Sequence, residues 1–113
     1  MRRNTYSLWM KAVLVLVVAL PSVLPASGQS TVQTVYKSKC AMCHAIDGSG
    51  DTPAGKKFGA RDFRSSEVQN QTDAQLIEIS TKGKNKMPGF GKTLSAEQIK
   101  QLVAYIRELG KKK

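Results

Sequence analysis

The chain is short of the residues that form disulfide bonds and hold metals. It has 113 residues, with two cysteines and a single histidine. Two cysteines allow at most one disulfide bond, which excludes a disulfide-dense exported scaffold. A structural zinc site usually takes four cysteine or histidine ligands in two pairs, and the sequence has no second pair. A chain of this length forms one small domain at most.

A long apolar run is also missing. The longest, residues 12–20, gives roughly 14 Å of helix, which cannot cross a ~30 Å hydrocarbon core. Basic residues precede this run, and Pro21 and several small residues follow it. That order is typical of a secretory signal peptide, which we predict for residues 1–28, with cleavage near Ala26 to Gly28, before Gln29 or close to it. An uncleaved anchor is the alternative. The mature domain is then residues 29–113.

The scarce cysteines and histidine lie together in the motif Cys-Ala-Met-Cys-His, residues 40–44. A thioredoxin-like dithiol would need a preceding strand and a β-α-β setting, and no strand-like run precedes Cys40. Covalent haem attachment fits better. Residues three apart lie on one side of a helical turn, so Cys40 and Cys43 can each add a thiol to one haem vinyl group. His44 then lies next to the ring and can bind the iron.

A second axial ligand cannot be histidine, because the chain has no other. Two of the four methionines lie in the predicted signal peptide, and Met42 is held inside the attachment motif. Met87 remains, in a glycine-rich stretch with Pro88 directly after it. Proline fixes one backbone dihedral and glycines permit tight turns, which favours a loop that presents the thioether to iron. The alternative is a methionine that only fills the core.

Helical periodicity occurs in three segments, residues 30–40, 72–83 and 94–110. The last is the clearest, and we expect Gly110 to end it. Residues 47–66 are rich in glycine and predict an irregular loop. No segment has the pattern of a packed strand.

Two of these helices begin with a capping box, a four-residue motif at the start of the helix. The side chains of its first and last residues each accept a hydrogen bond from the backbone amide of the other residue. The pairs are Thr72 with Gln75 and Ser95 with Gln98. Gly83 is expected to end the first of the two helices.

Three motifs together, residues 40–44, 83–90 and 94–109, carry a resemblance to a known family. In this order and spacing the mature chain resembles the class I c-type cytochromes over essentially its whole length. It is most similar to the small cytochromes of cyanobacterial and algal photosynthesis and their non-photosynthetic bacterial relatives. The resemblance implies an all-α cytochrome c fold, with three to four helices and loops around one covalently bound haem c and its iron.

The family also implies specific contacts. The first and last helices should cross near the attachment site, and the residues expected to meet there are Val32, Tyr36, Leu102, Tyr105 and Ile106. A proline carbonyl should accept the N–H of His44, and Pro53 is the candidate.

The expected function is electron transfer without catalysis. If His44 and Met87 fill both axial sites, no substrate can bind the iron. The predicted protein is a soluble monomer in the periplasm, or in the thylakoid lumen of a photosynthetic host. A haem subunit of a larger oxidoreductase is one alternative, and a haem sensor or peroxidase with a labile methionine ligand is another.

The chain has few acidic residues, eight against 18 basic ones, for a net charge of +10. Six lysines flank the Met87 loop or lie in the earlier loop: Lys82, Lys84, Lys86, Lys92, Lys56 and Lys57. A positive field there would steer acidic partner proteins. The expected partners are a quinol-oxidising complex, a terminal oxidase or a photosystem, and no nucleic acid. A merely solubilising surface is the alternative.

Overall fold

A computed structural model describes residues 27–112, and side chains from residue 31 onward. The predicted signal peptide, apart from its last two positions, lies outside the described residues. Within this described range, six helical segments and one hairpin follow in order: α1 Ser27–Lys39, α2 Ala41–His44, α3 Pro53–Phe58, α4 Ser66–Gln69, α5 Asp73–Lys82, β1 Gly83–Lys84, β2 Met87–Pro88 and α6 Ala96–Lys111. The three predicted helices correspond to α1, α5 and α6.

The core forms where α6 packs against α1 and α5. All five apolar residues of the α6 stripe are buried: Ile99, Leu102, Val103, Ile106 and Leu109. Each such side chain contributes about 1.5–3 kcal/mol when it leaves water. From α1, Val32 and Tyr36 are buried, and the Tyr36 ring meets Tyr105 edge-on with centroids 5.0 Å apart. The expected crossing of the first and last helices is therefore present.

Both predicted capping boxes are confirmed. Thr72 accepts from the Gln75 amide at 3.1 Å, and the Gln75 side chain accepts from the Thr72 amide at 2.8 Å. Ser95 and Gln98 repeat the arrangement at 3.1 and 2.9 Å. These bonds satisfy amides that the first turn of each helix leaves unpaired, which fixes where α5 and α6 begin.

The prediction that Gly110 ends the last helix is wrong, since α6 continues to Lys111. A Cβ at Gly110 would lie 2.5 Å from the side-chain amide of Gln69. That amide donates to the carbonyl of Phe63 at 2.6 Å and to that of Ile106 at 3.2 Å. The glycine therefore permits a close approach to Gln69 and does not act as a helix stop.

The loop predicted at residues 47–66 is interrupted by a helix. Helix α3 begins after Thr52, whose hydroxyl accepts from the Gly55 amide at 2.8 Å, and Pro53 occupies its first position. It ends at Gly59, where φ is 71°. Six residues are too few for an apolar periodicity, so only the cap, the proline and the glycine indicate this helix.

No packed strand was predicted, and the strands found among the described residues, β1 and β2, are only two residues long each. β1 and β2 form an antiparallel hairpin, with Gly83 opposite Pro88 and Lys84 opposite Met87. Its two-residue turn has φ of 54° at Asn85, a left-handed conformation that asparagine tolerates better than most residues. Strands of two residues are too short for an alternating pattern.

Among the described residues, none of the helices has the length and apolar character needed to cross a membrane.

Candidate haem-binding site

A cavity of about 340 Å³ opens between helices α2 and α6 and the β-hairpin. Its volume lies within the ~300–1,000 Å³ range of pockets that bind cofactors and small molecules. All four predicted site residues line it: Cys40, Cys43, His44 and Met87. Residues 43 positions apart in sequence thus share one cavity, although their individual roles stay predictions.

The cysteines are placed by one turn of helix. Cys40 is the N-cap of α2, and its carbonyl accepts from the amides of Cys43 at 3.2 Å and His44 at 2.9 Å. Both thiols are free and half-buried at the cavity wall. Burial raises the pKa of Cys40 to about 11, which keeps this thiol protonated at neutral pH. Two free thiols on one helical turn form the donor set that two thioether bonds require.

The His44 side chain is positioned by one backbone carbonyl and by one aromatic ring. Its Nδ1 lies 3.1 Å from the carbonyl oxygen of Arg61, and its imidazole stacks on Phe63 with centroids 4.0 Å apart. When Nδ1 donates to that carbonyl, Nε2 keeps a free lone pair for a metal. The proposed acceptor Pro53 is wrong: it is the first residue of α3, whereas Arg61 follows that helix.

The pKa of His44 is lowered, chiefly because burial disfavours the charged imidazolium. The hydrogen bond to the Arg61 carbonyl acts in the opposite direction and offsets part of this effect. The neutral imidazole is therefore favoured at pH 7, and this is the form that binds iron.

Met87 lies on β2, half-buried, directly after the hairpin turn. The segment after it is fixed to the end of α5, because the amides of Phe90 and Gly91 donate to the carbonyls of Ser80 and Thr81 at 2.9 and 3.0 Å. Gly83, where the hairpin begins, has φ of 81°, and a Cβ there would lie 2.6 Å from the Met87 carbonyl. The glycine-rich loop predicted around the methionine is thus a tightly built hairpin.

The remaining cavity wall is mainly apolar. Its hydrophobic residues include Phe58, Phe63, Val68, Leu76, Ile79, Phe90, Leu94, Ile99, Leu102 and Ile106. A large flat apolar ring suits such a wall, and thiols, an imidazole and a thioether suit its attachment and its iron. The residues present therefore fit a haem c.

Four basic residues also line this cavity: Lys39, Arg61, Lys84 and Lys86, which we call the basic rim. No acidic residue among the described side chains lines it. Sequence reasoning missed Lys39, Arg61 and the stacking residue Phe63. Only Lys39, which adjoins the attachment motif, could have been suggested by its position in the sequence. Arg61 and Phe63 follow His44 by many residues, and a backbone carbonyl such as that of Arg61 leaves no side-chain signature.

Within residues 27–112, no group of three or more His, Cys, Asp or Glu side chains is arranged to hold a metal ion.

Comparison with known proteins agrees with this site. A family model described as cytochrome C oxidase, cbb3-type, subunit III, matches residues 28–106. A cytochrome c6-like protein of Nostoc is 31% identical over 92% of this chain and 95% of its own length. A cytochrome c6 of Rippkaea orientalis is 35% identical over 66% of this chain, and that match spans 64% of the relative.

A solved structure, the KustC0563 c-type cytochrome, shares 33% identity and superimposes with a TM-score of 0.63. The match covers 68% of this chain and 94% of that one.

The chain belongs to the c-type cytochrome family that these comparisons define. Its sequence and fold place it among the small class I members, which confirms the predicted cytochrome c fold, the single covalent haem c and the general function of electron transfer.

Proposed function

We propose that the protein is an exported carrier of single electrons whose haem iron is held by His44 and Met87. The observation that carries the proposal is the shared cavity, which both residues line together with Cys40 and Cys43. A haem bound there would supply an iron that accepts and releases one electron. The two cysteines would attach it through thioether bonds, and Nε2 of His44 and the Met87 sulfur would occupy its axial positions.

The proposed ligands, His44 and Met87, favour electron transfer over catalysis. Two protein ligands leave no axial position for a substrate. With a haem bound, the soft thioether of Met87 would stabilise ferrous iron and the apolar wall would disfavour the extra charge of ferric iron, so both would raise the reduction potential. The Arg61 carbonyl keeps the His44 ring in one orientation, which limits ligand movement when the iron changes charge.

The absorption spectrum of the purified holoprotein, with and without cyanide or carbon monoxide, tests this function. A carrier should have six-coordinate low-spin iron in both oxidation states and bind either ligand slowly. Rapid binding to the resting protein would instead support a sensor or peroxidase in which Met87 is labile.

The proposed partners are redox proteins with acidic docking surfaces. Lys39, Lys84 and Lys86 of the basic rim form no ion pair among the described side chains, so their charge is available to a partner. Lys56 and Lys82 of the predicted patch are paired, 2.7 Å from Asp51 and 2.9 Å from Glu78.

The excess of basic over acidic residues and the predicted signal peptide fit a periplasmic or luminal protein that meets quinol-oxidising complexes, oxidases or photosystems in brief encounters. Fractionation of the host would test this location: haem-stained protein in the periplasmic or luminal fraction supports it, and protein in the cytoplasmic fraction contradicts it.

A haem subunit of a larger oxidoreductase is the second candidate function. The matching family model is named after subunit III of a cbb3-type oxidase, which favours this alternative specifically. Gel filtration of gently extracted host membranes and of the soluble fraction distinguishes a free carrier from an oxidoreductase subunit. A free carrier elutes at the size of one small domain, whereas a subunit co-elutes with oxidase activity.

A further inference from the structure

A lysine of the Met87 hairpin contacts an aromatic ring of helix α3. The Nζ of Lys86 lies 5.9 Å from the ring centroid of Phe58, within the distance at which a cation is attracted to an aromatic face. Lys86 belongs to the two-residue turn that precedes Met87, and Phe58 is the last residue of α3. Both side chains line the cavity.

Phe58 lines the cavity, and 47% of its surface is accessible. Its position is set by the end of α3, which stops at the left-handed Gly59. On its other side the hairpin is fixed by backbone hydrogen bonds to the end of α5. The contact between Lys86 and Phe58 therefore joins two segments that approach the cavity from different directions.

We propose that Phe58 and Lys86 are positioning residues for Met87, and that their contact holds the hairpin closed so that the thioether stays on the iron. The inference rests on the proposed axial role of Met87. Neither residue touches the iron in this scheme. Their contact changes how often the hairpin opens and therefore how often the methionine leaves.

The size of the effect follows from the strength of an exposed cation–π contact. Removing it should increase hairpin opening about two- to fivefold. In ferric holoprotein, cyanide binds only after the methionine has left, so the rate of cyanide binding reports this opening. Phe58→Leu and Lys86→Gln should each speed cyanide binding by that factor. The double variant should be no faster than the quicker single variant, because both remove one contact.

Lys57 supplies a matched control. Its Nζ lies 5.5 Å from the same Phe58 ring, but it belongs to α3 itself and does not link that helix to the hairpin. Lys57→Gln removes the same charge and should leave the rate unchanged or lower it. Lys86→Arg, which keeps the cation, should retain the parental rate. If Lys57→Gln speeds cyanide binding as much as Lys86→Gln, the effect is one of net charge and the proposal is wrong.

Amide hydrogen exchange provides a readout that does not depend on a ligand of the iron. In Phe58→Leu, exchange should rise at the hairpin residues Lys84 and Met87 and stay unchanged in α1 and α6. Met87→Ala distinguishes a failure of the positioning role of Phe58 and Lys86 from a failure of the axial role of Met87. If it opens the iron to cyanide while Phe58→Leu and Lys86→Gln bind at the parental rate, only the positioning role fails. If Met87→Ala changes nothing, the axial assignment itself fails.

Discussion

The imidazole Nδ1 of His44 lies 3.1 Å from the carbonyl oxygen of Arg61, so the backbone after α3 orients the proposed iron ligand. A hydrogen bond at this nitrogen increases the basicity of the other and stabilises ferric iron. Gly50 controls the position of this backbone. Its φ is 74°, and a Cβ there would lie 2.8 Å from the Ala60 carbonyl and 3.5 Å from that of Arg61.

Gly50→Ala should weaken the bond to His44 and raise the reduction potential. The added methyl group must displace residues 60–61, and the overpacking should lower the free energy of unfolding by about 1–3 kcal/mol beyond the backbone strain. Protein-film voltammetry and thermal unfolding of the holoprotein measure the two effects.

Gly59→Ala is the control for this prediction. Gly59 has a similar φ of 71°, but a Cβ there meets nothing within 4 Å. The free energy of unfolding of Gly59→Ala should fall by about 1–2 kcal/mol from left-handed strain alone, and this variant should keep the parental reduction potential. Equal potentials for the two variants would contradict the role assigned to the Arg61 carbonyl.

Covalent attachment should depend on both cysteines. Cys40→Ala and Cys43→Ala should each leave a single thioether and a weaker link, and the double variant should yield no holoprotein. Acid-acetone extraction of the purified proteins checks this, because a covalently bound haem stays with the protein. Haem that is readily extracted from the parental chain would contradict the two-thioether attachment.

The site was largely predictable because its chemistry depends on rare residues. The motif at residues 40–44 predicted Cys40, Cys43 and His44, and elimination among the methionines predicted Met87. All four line one cavity, although their individual roles stay predictions. The long helices were predictable for a different reason. Their apolar stripes repeat over several turns, and their capping boxes mark where α5 and α6 begin.

The remaining features depend on contacts that sequence periodicity does not report. The acceptor for His44 is a backbone carbonyl, which any residue could supply, so Pro53 was a poor choice over Arg61. Gly110 was read as a helix stop, but it is required by the approach of Gln69 from α4. The hairpin that carries Met87 has strands of only two residues each, which is too short for an alternation of apolar and polar residues to be visible in the sequence.

Association with acidic partners should depend on ionic strength and on the basic rim. Lys84→Gln removes a charge at the cavity, and electron-transfer rates with an acidic partner protein at low salt should fall as a result. Lys100→Gln is the control, because Lys100 is also exposed, on α6, but does not line the cavity. The difference should disappear as added salt shortens the screening length below ~10 Å. Stopped-flow rates that are independent of salt would contradict electrostatic docking.

Met87→Ala gives the most direct test of the proposed iron ligation. Losing the thioether removes the soft ligand that favours ferrous iron, so the reduction potential should fall by more than ~59 mV, a tenfold change in the equilibrium of a one-electron couple. The open axial position should admit cyanide and carbon monoxide and allow weak peroxidase activity. The haem should remain attached, because Cys40, Cys43 and His44 are unchanged. Stability should also decrease, since the proposed bond from iron to sulfur would tie the hairpin to the attachment site across the cavity. A variant that keeps the parental potential and a six-coordinate low-spin spectrum at neutral pH would show that another group binds the iron.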